Sequence, residues 1–218
     1  MVGNALPIRE KSLNKKPRLK SMSKNVIINF VFFQIAWFAC VVGASKQMPW
    51  LGVIVTVVIV TWHLSQAKSA KPEIILLLIA LAIGAVFDQL MLSTNLITYQ
   101  SHGWGNGPIS VNIVPAWILA LWAGFVTALN VSLRWMRNNQ LRGRLIITIL
   151  FGAIGGPLAY MAAEKLGAVT LNNMPQSYIA LGVGWAIITP LLIKLAERFD
   201  GFKPVDGLKP VDEFKAHA

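Results

Sequence analysis

Six long apolar runs, each bounded by glycine, proline or charged residues, dominate this chain and leave few ways for it to fold. A helix needs about 20 mostly apolar residues to cross a hydrocarbon core roughly 30 Å thick. Runs of that kind cover residues 26–44, 49–64, 74–92, 114–133, 145–166 and 178–195. None alternates with the period of two that marks a barrel strand, and a helix satisfies its backbone groups within its own segment. The runs therefore predict an all-α polytopic membrane protein, a bundle of six transmembrane helices. The loop before the fourth run carries Gly103, Gly105, Gly107 and Pro108, which cannot continue a helix. Pro190 predicts a kink in the sixth.

Charge tests the helix count independently. The chain has 20 Lys+Arg against 9 Asp+Glu, a formal charge of +11. If both termini are cytoplasmic, 18 basic residues fall on the inner side and only Lys46 and Lys165 on the outer, as the positive-inside rule requires. Anionic lipid headgroups at the cytoplasmic face are the expected partners of that basic side. The first run, with its Val42-Gly43-Ala44 site, has the outline of a cleavable signal peptide. Its length and its polar or aromatic Asn29, Gln34 and Trp37 favour a retained helix.

Three parts are expected. Residues 1–24 form a basic, disordered cytoplasmic tail, residues 25–196 the six-helix domain, and residues 197–218 a flexible cytoplasmic tail. In the latter, Lys203-Pro-Val-Asp206 recurs as Lys209-Pro-Val-Asp212. The basic tail has no interleaved aromatics and no folded module, so no nucleic-acid partner is expected. The single Cys40 excludes a disulfide framework. His63, His102 and His217 form no metal-like cluster, and no HExxH, GxSxG, P-loop or dinucleotide motif is present. No cofactor or metal is expected, and the question of an enzyme stays open.

Polar side chains inside a bilayer are costly and default to candidate functional groups. Asp88 lies in the outer third of the third run and is read as the one carboxylate clearly inside. On the fifth run Gly152, Gly156, Tyr160 and Glu164 recur every four residues and share a face. Tyr160 sits at the depth of Asp88, and Glu164 at the outer boundary. Gly152 and Gly156 form a GxxxG pair suited to close helix contact. Gln34 adds a polar group within the first run. A second layer toward the cytoplasm comprises Asn29, His63, Asn130, Ser132 and Arg134, with Asn130 and Arg134 at i, i+4 on one face. Trp50, Trp62, Trp104 and Trp135 fall where an aromatic belt would lie, and Trp37, Trp117, Trp122 and Trp185 lie deeper.

Several segments carry a resemblance. Asn29 through Val41, Pro49-Trp50-Leu-Gly52, His63-Leu64, Asp88, Pro115-x-Trp117, Leu129-Asn130-x-Ser132-Leu133-x-Trp135 and Gly152 through Tyr160 resemble a family of uncharacterised inner-membrane proteins of Gram-negative bacteria, classed as a domain of unknown function. The resemblance covers residues 26–195 and implies a multi-helix protein of the bacterial inner membrane. It further implies relatives encoded near fatty-acid-modifying methyltransferases. On that footing the leading expectation is an accessory or lipid-handling protein with a membrane or peripheral enzyme as partner. The alternatives are a proton- or cation-coupled small-solute carrier using Asp88 and an intramembrane lipid-modifying enzyme.

Overall fold

Every apolar run folds as a helix. The computed structural model describes residues 24–100, 112–137 and 142–203. In chain order the elements are α1 (Lys24–Ser45), α2 (Pro49–Gln66), α3 (Ala70–Ser93), β1 (Ile97–Tyr99), α4 (Ala116–Leu129), α5 (Arg144–Lys165), β2 (Val169–Leu171) and α6 (Met174–Arg198). A 3-10 turn at Arg134–Arg137 follows α4. Five of the helices, all but α4, are long and apolar enough to cross a membrane. Their outward faces are apolar too: Ile54, Val58, Ile179 and Ile187 are all exposed. Contiguous apolar surface on this scale marks contact with lipid rather than water, and the chain is an integral, multi-pass membrane protein.

The fourth helix departs from its expected span of 114–133. It has 14 residues, about 21 Å of rise, and most of its residues are buried. A helix that is apolar all round belongs in the interior, and α4 packs against α1, α2, α3 and α6. Its ends unwind while still inside the protein. Val114 and Pro115 enter as extended chain, and Asn130 caps the far end. Such irregular backbone is tolerated at membrane depth when protein rather than lipid surrounds it.

The remaining helices pair as α1 with α2 and α5 with α6. Both α3 and α5 end in the same device. Leu96 and Ala168 donate backbone hydrogen bonds back to Met91 and Ala163, and the residues before them, Asn95 and Gly167, take φ of 54° and 78°. Each left-handed cap turns the chain into a short strand. The strands pair antiparallel, Ile97 with Leu171 and Tyr99 with Val169. This two-stranded ribbon defines one face of the bundle. The other, here the terminal face, carries the start of α1 and the end of α6. Residues 197–203 were expected to begin a flexible tail, yet they belong to the bundle: α6 runs to Arg198, and Asp200 and Gly201 are buried. Of the basic tail, only Lys24 is described, as the first residue of α1; Trp104 and residues 204–218 lie outside the described residues.

Candidate functional site

Asp88 is fully buried on α3 and its carboxylate accepts from three neutral donors. Tyr99 Oη donates to Oδ1 at 2.7 Å, Trp122 Nε1 donates to Oδ2 at 2.6 Å, and Tyr160 Oη also donates to Oδ1. Tyr160, which the sequence puts at the depth of Asp88, is thus in contact with it. Sequence reasoning missed Tyr99 because it lies beyond the third span. The alternation in Ile97-Thr98-Tyr99, buried-exposed-buried, is the signal that turns its ring inward. Glu164, grouped with Tyr160 by spacing, does not join them: its Oε1 accepts the backbone N–H of Leu171 at 2.8 Å and holds β2 against α5.

Trp122 and Tyr160 also form the back wall of a groove of about 450 Å³. Its sides are α1 and α4 on one flank and α5 and α6 on the other, with Val169 of the ribbon at one end. The groove exists because no continuous seam of contact joins α1 to α5, whereas α5 and α6 are in close contact along their length. Gly152 and Gly156 set that closeness. A Cβ at Gly152 would overlap the Trp185 carbonyl, and one at Gly156 would overlap the Trp185 indole. The indole stacks on Trp122, with ring centroids 4.8 Å apart and planes 5° from parallel. Gly155, one residue from that contact, has open space where a Cβ would stand. Because the polar atoms of Trp122 and Tyr160 are committed to Asp88, these side chains contribute mainly ring surface to the groove. Gln34, partly buried, also lines it. So do Trp185 and Thr189, whose Nε1 and Oγ1 are buried without a hydrogen-bond partner among the described residues.

The terminal face holds a second cluster, centred on a carboxylate, Glu73, that sequence reasoning does not single out. Glu73 is buried. Its Oε2 lies 2.9 Å from His63 Nε2, and its Oε1 accepts Asn130 Nδ2 at 2.6 Å and the Gly201 N–H at 2.7 Å. Asp88 is therefore not the only carboxylate inside the bundle. Glu73 was unreadable because an acid in the first turn of a helix, beside Lys71, ordinarily answers the helix dipole in water. Asn130 and Arg134 do not share a helical face, since α4 ends between them. Asn130 Oδ1 instead accepts Arg137 Nη1 at 2.8 Å, and Asp200 Oδ2 accepts Arg134 Nη2 and Arg137 Nη2, each at 3.0 Å. Burial lowers the pKa of the Arg137 guanidinium from its ordinary value, and the adjacent Asp200 charge opposes that shift. Asn29 ties α1 to the end of α4, donating to the Thr127 carbonyl at 3.0 Å and accepting from Ser132 Oγ at 2.8 Å.

The eight candidate residues thus divide among four places. Asp88 and Tyr160 meet at the groove wall, with Gln34 lining the groove. Glu164 braces the ribbon. His63, Asn130 and Arg134 join the Glu73–Asp200 network, and Asn29 forms a separate tie. No group of three or more His, Cys, Asp or Glu suited to a metal occurs among the described residues. The family described as "Protein of unknown function (DUF2878)" matches residues 26–191, and the chain belongs to it. No curated protein and no solved structure matches the chain.

Proposed function

We propose that this DUF2878 member is a lipid-handling protein that holds a hydrocarbon chain of the surrounding bilayer in the groove between α1 and α5. The groove itself carries this reading. Its volume falls within the range of ligand pockets, roughly 300–1,000 Å³. Its rims include Phe38 on α1 and Leu158 on α5, each 51% exposed on the apolar outer surface. A gap that opens at membrane depth between apolar helices meets acyl chains first, and most of the residues that line this one are apolar. A chain entering there recovers dispersion contacts that an empty space forfeits.

The arrangement in the membrane belongs to the same proposal: six spans, both termini in the cytoplasm, in a bacterial inner membrane. The 18 to 2 division of basic residues supports that orientation, and the burial of α4 accounts for one span being short. Anionic headgroups then face the basic side. An enzyme that modifies fatty-acid or membrane-lipid chains is the partner class this reading implies. The three buried neutral donors on Asp88, each from a different element, favour lipid handling over a coupled carrier, whose carboxylate must exchange partners as it loads and unloads.

Lipid retained by the purified full-length protein tests the proposal. Mass spectrometry of extracts from detergent-purified protein is expected to find about one retained lipid per chain, and Gly155→Leu, which projects into the open groove, is expected to lose it. Equal retention by both proteins would remove the groove as a lipid site.

A further inference from the structure

Resting on that reading of the groove, we infer that Lys46 and Lys165 form a clamp for the anionic phosphate headgroup of the lipid whose chain the groove holds. The groove does not span the whole bundle. Along α5 it runs from Phe151 to Ala163, about 18 Å of rise, which is close to the depth of one leaflet of a core roughly 30 Å thick. Its end at Ala163 lies two residues short of Lys165 and beside Val169 of the ribbon. A lipid chain seated there has its headgroup at the ribbon face.

Charge on that face is sparse. Of the 20 basic residues, the connections place only Lys46 and Lys165 there. Both follow directly on the two helices that border the groove: Lys46 comes one residue after the end of α1 and Lys165 is the last residue of α5. The two helix ends meet, since a Cβ at Gly167 would stand 3.9 Å from Ser45 Cβ. Both lysines are exposed, and among the described residues neither forms an ion pair. The nearby Glu164 carboxylate accepts the Leu171 N–H, so it braces the ribbon rather than pairing with either lysine. Two unpaired ammonium groups therefore stand where the phosphate of a groove-bound lipid emerges. Cations at helix C-termini also answer the helix dipole, but that role gives no preference among lipids.

The test measures binding of phosphatidylglycerol and of diacylglycerol with the same chains to delipidated full-length protein, read by native mass spectrometry. Wild type is expected to favour phosphatidylglycerol about tenfold to thirtyfold, since a lysine near an anionic lipid contributes about a factor of ten or less. That preference should shrink as salt rises. In Lys46→Gln/Lys165→Gln it should vanish while diacylglycerol binding is kept. Absence of a preference in wild type, or its survival in the double variant, overturns the clamp and leaves the groove standing. Unchanged binding of both lipids to Gly155→Leu overturns the groove itself and the clamp with it.

Discussion

Asp88 and Glu73 occupy one helix, 15 residues apart in sequence, and the bundle satisfies the two carboxylates with different sets of donors. Asp88 receives only neutral donors, two phenols and an indole, each from a different element. Glu73 receives an imidazole, an amide and a backbone N–H, and its partner Asn130 leads on to Arg137 and Asp200. The difference follows from depth. Near the terminal face, long cationic side chains such as Arg137 can reach both the network around the buried acid and the headgroup region. Deeper toward the ribbon a cation would be as costly as the carboxylate it neutralises, so uncharged hydroxyl and indole groups do the work. The consequence is architectural: the Asp88 cluster fixes ring surfaces that wall a cavity, whereas the Glu73 cluster closes the end of the bundle.

Replacing each carboxylate should separate the two kinds of cluster most clearly. Asp88→Ala leaves three buried donors without an acceptor, at about 1–2 kcal/mol each, so a loss of about 3–6 kcal/mol and little folded protein in membranes are expected. Asp88→Asn, which still accepts hydrogen bonds, should retain much more. Equal yields from the two variants would mean that the acceptor kept by Asn does not hold the site together. Asp200→Ala removes the acid shared by Arg134 and Arg137, of which Arg137 is 7% exposed, and should cost about 2–4 kcal/mol as a broken buried pair. Thermal unfolding in detergent measures it. A fall below that of Arg134→Ala would make the network ornamental.

Neighbouring glycines give a sharper contrast within the ribbon half. Gly156→Leu drives a side chain into Trp185 and should destabilise by about 1–3 kcal/mol, while Gly155→Leu, facing open space, should leave the unfolding temperature nearly unchanged. Similar losses at both positions would mean that the space beside Gly155 is not open. The smallest effect is expected for Arg134→Ala. Its side chain is 45% exposed, and an ion pair so accessible is worth about 0–1 kcal/mol.

How far each feature could be read from sequence depended on its range. Tyr160 was legible as the partner of Asp88 because both lie on helices whose rise converts sequence position into depth. Trp122 could be placed deep but not assigned to Asp88, and Tyr99 lay outside any span. His63, Asn130 and Arg134 were each recognised as polar residues at the terminal end, but their common centre at Glu73 and Asp200 was not, because acids near helix ends read as solvated. Gly201 belonged to a segment expected to be a tail. A Cβ there would overlap the Ser69 carbonyl, a constraint no local pattern announces.

By itself the sequence determined the class of fold, the six helices and the one-sided distribution of basic residues. Hydrophobic length, chain breakers and charge act over one span or one loop, and a bilayer translates them directly into architecture. Only the tertiary structure decided that α4 is interior and short, that Glu73 and Asp200 are buried as well as Asp88, and that α1 and α5 stand apart to leave a groove. Those outcomes depend on which faces pack against which, and in lipid the apolar residues of a helix look alike whether they meet a neighbour or the membrane.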